Sequence, residues 1–150
     1  MKTANINKHV LVLVAGMALS VWISAVRAEV VVVVSPANSV TALSAEQVAD
    51  IFLGKSSRFP DGNVAVPIDQ AENSSERTEF YSRFADKTLA QVKMHWAKLI
   101  FTGRGQPPRK AKDAGEVKKL LARNPNAIGY IDRSEVDDTV VVLEIDEPER

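Results

Sequence analysis

The sequence contains no cysteine, and beyond its first 28 residues it has a single histidine, His95. Without cysteine the chain cannot staple itself with disulfides, so its stability has to come from a buried core. His95 has only His9 to join it as a metal ligand, and it reads as a structural or surface residue. Neither sign of charge is in excess, with 19 lysines and arginines against 19 aspartates and glutamates. That balance provides no basic face for nucleic acid. No Ser-His-Asp arrangement, P-loop or zinc spacing occurs, which leaves an enzyme without a constellation to work with. There is no internal repeat and no low-complexity segment. What remains, at 150 residues and 45% hydrophobic, is one modest globular domain.

The first 28 residues stand apart from that domain. Lys2, Lys8 and His9 make a basic start, Val10 to Ile23 is an apolar run, and Val26-Arg27-Ala28 offers small side chains before a cut. This is the pattern of a secretory signal peptide cleaved after Ala28. A membrane anchor is the competing reading, but the run falls short of the ~20 residues that span a bilayer. Removal takes away Lys2, Lys8 and Arg27 and no acid, which leaves 16 basic residues against 19 acidic. The expected organisation is a leader over 1–28, a domain over 29–145 and a flexible polar tail over 146–150.

The domain opens with five valines, Val30 to Val34, a strand expected to be internal and buried on both faces. Ser44 with Gln47 makes a capping box for a helix whose inward stripe is Val48, Ile51 and Phe52, and Gly54 stops it. Asp61-Gly62 marks a turn before a strand in which Val64, Val66 and Ile68 alternate. The chain is then expected to turn through Asp69-Gln70-Ala71-Glu72-Asn73 and to enter a helix at Ser74-Ser75, with Phe80 and Phe84 on its inward face. Thr88 and Gln91 cap another helix, with Val92, Trp96, Leu99 and Ile100 inward. Thr102 to Arg109 is irregular because of its two glycines and double proline. Asp113 with Glu116 caps a helix carrying Val117, Leu120 and Leu121. Strands are expected over Ala127–Ile131 and Thr139–Ile145. Strands alternating with helices predict an α/β domain with a mixed, mostly parallel sheet flanked by helices.

Three islands follow one another: Asp50-Ile-Phe-Leu-Gly-Lys55 with Phe59-Pro-Asp-Gly62, then Leu99-Ile-Phe-Thr-Gly103 with Gln106-Pro-Pro108, then Asn126-Ala-Ile-Gly-Tyr130. In this order they resemble the phosphate-binding substrate-binding proteins of ABC transporters, and more closely the short, single-lobe members of that superfamily. The resemblance runs from about Val30 to Leu143. It implies a single periplasmic-binding-protein-like lobe, where a full-length relative is a two-lobed clamp. The family's motif in that lobe is an arginine, three further residues, then Ser-Gly-Thr at a helix start, with an aromatic beyond. With Phe80 as that aromatic, Ser74 matches the serine. Gln70 stands in place of the arginine, Ser75 in place of the glycine and Glu76 in place of the threonine. Arg77 is the nearby cation able to compensate.

Gln70, Ser74, Ser75, Glu76 and Arg77 are therefore the candidate ligand-binding residues, around a helix start whose free N–H groups suit an anion. Ser74 and Ser75 are equally ordinary helix caps. Asp69 and Glu72 can be read as an acid–base pair or as solvated turn residues, and Arg104, Arg109 and Lys110 as a small basic rim or a solvated loop. The resemblance implies a periplasmic or secreted protein that binds phosphate or a similar small anion without catalysis or cofactor. A membrane transporter or a periplasmic protein is the implied partner, and a homodimer is a further possibility. The alternative is an accessory module with a degenerate anion site. If the motif is aligned correctly, Gln70→Arg with Glu76→Thr should tighten phosphate binding.

Overall fold

The computed structural model describes residues 29–147, so the proposed leader lies outside the described residues. Along the chain the elements are β1 (Val30–Val34), β2 (Ala42–Ser44), α1 (Ala45–Phe52), β3 (Val66–Gln70) and α2 (Ser75–Ala85). They continue with α3 (Leu89–Phe101), β4 (Arg109–Ala111), α4 (Ala114–Arg123), β5 (Ala127–Asp132), β6 (Val141–Val142) and β7 (Glu144–Asp146). Five strands form one sheet in the order β4-β3-β5-β1-β6, and β2 pairs with β7 beside it. The β4–β3, β3–β5 and β2–β7 pairs are parallel, while β1 is antiparallel to both its neighbours. This is the mixed, mostly parallel sheet with flanking helices that the alternation of elements predicts.

The valine run of β1 follows from its place in this sheet. Val30, Val32 and Val34 join Phe52, Phe80, Tyr81, Phe84 and Trp96 in one core. Val31 and Val33 join Val117, Leu120, Leu121 and Ile131 in the other. Successive strand residues point to opposite faces, and both faces here are covered by helices, so no position tolerates a polar residue. The two cores make a three-layer domain, with α1, α2 and α3 on one side and α4 on the other. Gly129 of β5 lets α4 come close: a Cβ there would lie 2.8 Å from Val117 Cγ1.

Both predicted capping boxes form, Ser44 with Gln47 and Thr88 with Gln91. Asp113 caps α4 by accepting from the Glu116 amide. His95 is structural, its Nε2 lying 2.7 Å from the Leu53 carbonyl at the end of α1. Four expectations need correcting. Asp69 and Gln70 belong to β3, because β4 extends the pairing past Ile68 to Gln70. Arg109 to Ala111 is a short charged edge strand. Ile100 points outward, at 56% exposure. The predicted strand over Thr139–Ile145 is two short ones that serve different sheets. The tail is ordered at its start, where Asp146 ends β7 and Glu147 pairs with Arg83 at 3.0 Å.

Candidate functional site

Strands β3 and β4 run side by side and end at the same edge of the sheet, with Asp69 in register with Lys110. From this edge β3 turns through Ala71 to Ser74 into α2. Carboxyl ends of parallel strands are where α/β sheets place ligand crevices. A cleft of about 480 Å³ opens here between the turn, α2, α3 and the approach to β4. Its polar lining is Asp69, Glu72, Asn73, Arg77, Lys93 and Lys110, and its apolar wall comes from α3 and Pro107.

Asp69 is the centre of the polar structure beneath the cleft. It is 1% exposed and receives Arg77 Nε at 3.0 Å, Tyr81 OH at 3.0 Å, Tyr130 OH at 2.5 Å and the Gln70 amide at 2.8 Å. A carboxylate offers about four acceptor positions, and all are used, which is how its charge is tolerated in the core. Burial pushes both phenols far above the ordinary tyrosine value, and the charge on Asp69 pushes the same way. For Arg77 burial works against the charge, but the attraction of Asp69 outweighs it and the guanidinium is held above its usual value.

The five residues predicted from the helix-start motif are distributed unequally. Ser74 is the N-cap of α2, its Oγ accepting from the Arg77 amide at 3.0 Å. Ser75 is exposed and donates to Glu76 Oε2 at 3.1 Å. Gln70 is 3% exposed and its Nε2 donates to the Tyr130 carbonyl at 2.8 Å, inside the sheet edge. Of the five, Arg77 lines the cleft and the other four lie beside it. Lys93, Lys110 and Asn73 were not singled out together by the motif, because their meeting depends on the β3–β4 register and the packing of α3. The basic rim reading held the one available signal, Lys110. Asp69 and Glu72 occupy opposite surroundings, the first buried, the second exposed and bonded to Lys110 at 2.6 Å. The bond from Lys110 holds the Glu72 carboxyl below its usual value.

Trp96 forms part of the cleft wall and is 6% exposed. Its six-membered ring lies under Gly54, whose φ of +72° and missing Cβ make room for it. Its Nε1 is buried with no hydrogen-bond partner among the described residues. A buried indole N–H ordinarily finds an acceptor.

A helix-flanked mixed sheet with a cleft at the carboxyl ends of its parallel strands is an architecture that solved structures share. Three of them illustrate the likeness. A chain of Clostridium perfringens, described as a phosphate ABC transporter substrate-binding protein with bound phosphate, superimposes with a TM-score of 0.63 at 24% identity, over 77% of this chain and 44% of that one. An ABC-type phosphate transport receptor of Vibrio cholerae gives 0.63 at 19% identity, over 80% and 47%. PstS of Borrelia burgdorferi gives 0.61 at 16%, over 81% and 48%. The chain thus spans less than half the length of each, and the likeness is one of fold. No protein-family model matches the sequence, and no curated protein does.

Proposed function

We propose that this is an exported, non-catalytic solute-binding protein that takes phosphate or a similar small anion in the cleft before α2. The observation that carries the reading is the convergence of Arg77, Lys93 and Lys110 on a cleft whose carboxylates are Asp69 and Glu72. Asp69 engages Arg77 through Nε, and the rest of the guanidinium fork is the part left to an anion. The N-terminus of α2 adds its positive end to the same place. The fold shared with phosphate-binding chains supports this choice of anion, and the leader pattern supports export to the periplasm or beyond, where a membrane transporter is the natural partner.

The Glu72–Lys110 pair competes with a ligand for one of the three cations, and one side of the cleft is open to water. Both features weaken electrostatic capture, so affinity is expected to be low. Calorimetric titration of the exported protein with phosphate, sulfate and molybdate tests the reading. Saturable binding that Lys93→Gln weakens supports it. No heat with any of the three anions would overturn it in favour of the accessory module.

A further inference from the structure

Helix α3 is apolar on two opposite sides. Val92 and Trp96 face the core, and Leu89 and Leu99 are partly buried beside them. On the far side Ala90, Met94, Ala97 and Phe101 follow one another at spacings of four, three and four, all exposed. Met94 is 73% and Phe101 93% exposed. Spacing of this kind is the seam of a helix pair, ordinarily covered by a second helix.

The seam is complementary to itself in one orientation. Ala90 lies as far before the midpoint between His95 and Trp96 as Phe101 lies after it, and Met94 and Ala97 are related in the same way. Turning a second copy about a two-fold axis through that midpoint sets Phe101 against Ala90 and Met94 against Ala97, a large side chain against a small one in every layer. The flanks agree with it. Lys93 comes nearest to Ile100 of the second copy, and Gln91 nearest to Lys98, so no lysine is set directly against a lysine. A parallel pair would set each seam residue against its own copy, Phe101 against Phe101 and Ala90 against Ala90.

We propose that this chain forms a two-fold dimer in which α3 packs antiparallel on α3 of a second copy. Ala90, Ala97 and Ile100 also line the cleft before α2, so the second helix walls the cleft on its open side. In an isologous contact each copy does this for the other. A seam ~20 Å long buries less than the ~1,600 Å² of a standard complex, so the dimer should dissociate on dilution.

Sedimentation velocity of the exported protein over a wide concentration range is expected to show a monomer–dimer equilibrium. Met94→Glu puts a carboxylate from each copy into the seam and should weaken the dimer roughly a hundredfold or more, with far-UV circular dichroism unchanged. The absence of cysteine makes orientation readable. Ala90→Cys with Phe101→Cys should cross-link to a covalent dimer on oxidation. Ala90→Cys alone should not, since the two copies of residue 90 lie roughly 16 Å apart along the seam. A monomer at every concentration, or a dimer that Met94→Glu leaves intact, would overturn the proposal. Efficient cross-linking by Ala90→Cys alone would overturn the antiparallel arrangement. The anion reading is separate: a monomer that binds phosphate sinks only the pairing, and a dimer that binds none sinks only the anion site.

Discussion

Asp69 shows how much one buried carboxylate can organise. The two tyrosines of the chain and the buried arginine of α2 all bond to it. Asp69→Asn leaves the Arg77 charge in the core without its counter-charge, and breaking a buried pair this way costs about 3–5 kcal/mol. A urea denaturation midpoint unchanged in the variant would contradict the geometry. The tyrosines carry a prediction in pH. Their folded values are raised, so folding is fully favoured by them below ~10, the ordinary phenol value. Above it the unfolded chain loses protons that the folded chain keeps, and stability falls as pH rises. Phenolate absorbance should therefore appear together with unfolding and not before it. The network also sets a stability cost against the substitution that the motif suggests. Gln70→Arg should destabilise the sheet edge, because it removes the bond to the Tyr130 carbonyl and buries a charge in its place. A variant as stable as wild type would contradict the burial of Gln70, and tighter phosphate binding by it would support the motif alignment.

At the scale of elements, the helix starts were legible because capping is local. Ser44, Thr88 and Asp113 each bond an amide three residues on, and those side chains need nothing from the rest of the fold. Ser74 belongs to the same group, and Ser74→Ala should cost about 1 kcal/mol of stability whether or not an anion binds. Inward stripes were legible too. Phe52 is fully buried, its ring edge-on to those of Phe80, at 4.6 Å, and Tyr130, at 5.7 Å. Phe52→Ala is expected to cost about 3–5 kcal/mol by denaturant titration. Strand β4 was not legible. Arg109-Lys110-Ala111 has no alternation and follows a double proline, and it is a strand because β3 offers it a free edge. Ile100 misled for a related reason: helical spacing identifies an apolar side without telling a core from a seam.

For the molecule as a whole, β1 and β5 contribute side chains to both cores, so neither core can come apart while the other stays intact. Unfolding is expected to be a single transition, with near-UV and far-UV circular dichroism reporting the same midpoint. Separate midpoints would show that the α4 side and the side formed by α1, α2 and α3 unfold independently.

The class of fold, the helices with their caps and the doubly buried valine strand were determined by the sequence itself, since each rests on periodicity or on bonds a few residues long. The resemblance to phosphate-type binding proteins was legible in three short islands and holds for the fold. The cleft was decided only by tertiary structure. Lys110 stands beside Asp69 because two strands share a register, and Lys93 reaches the same place because α3 packs where it does. Gln70 and Asp69 sit next to each other in a segment that reads as a polar turn, yet both lie in the interior. Burial of a polar pair depends on partners elsewhere in the chain, here Arg77, Tyr81 and Tyr130, and no local pattern announces that they will meet.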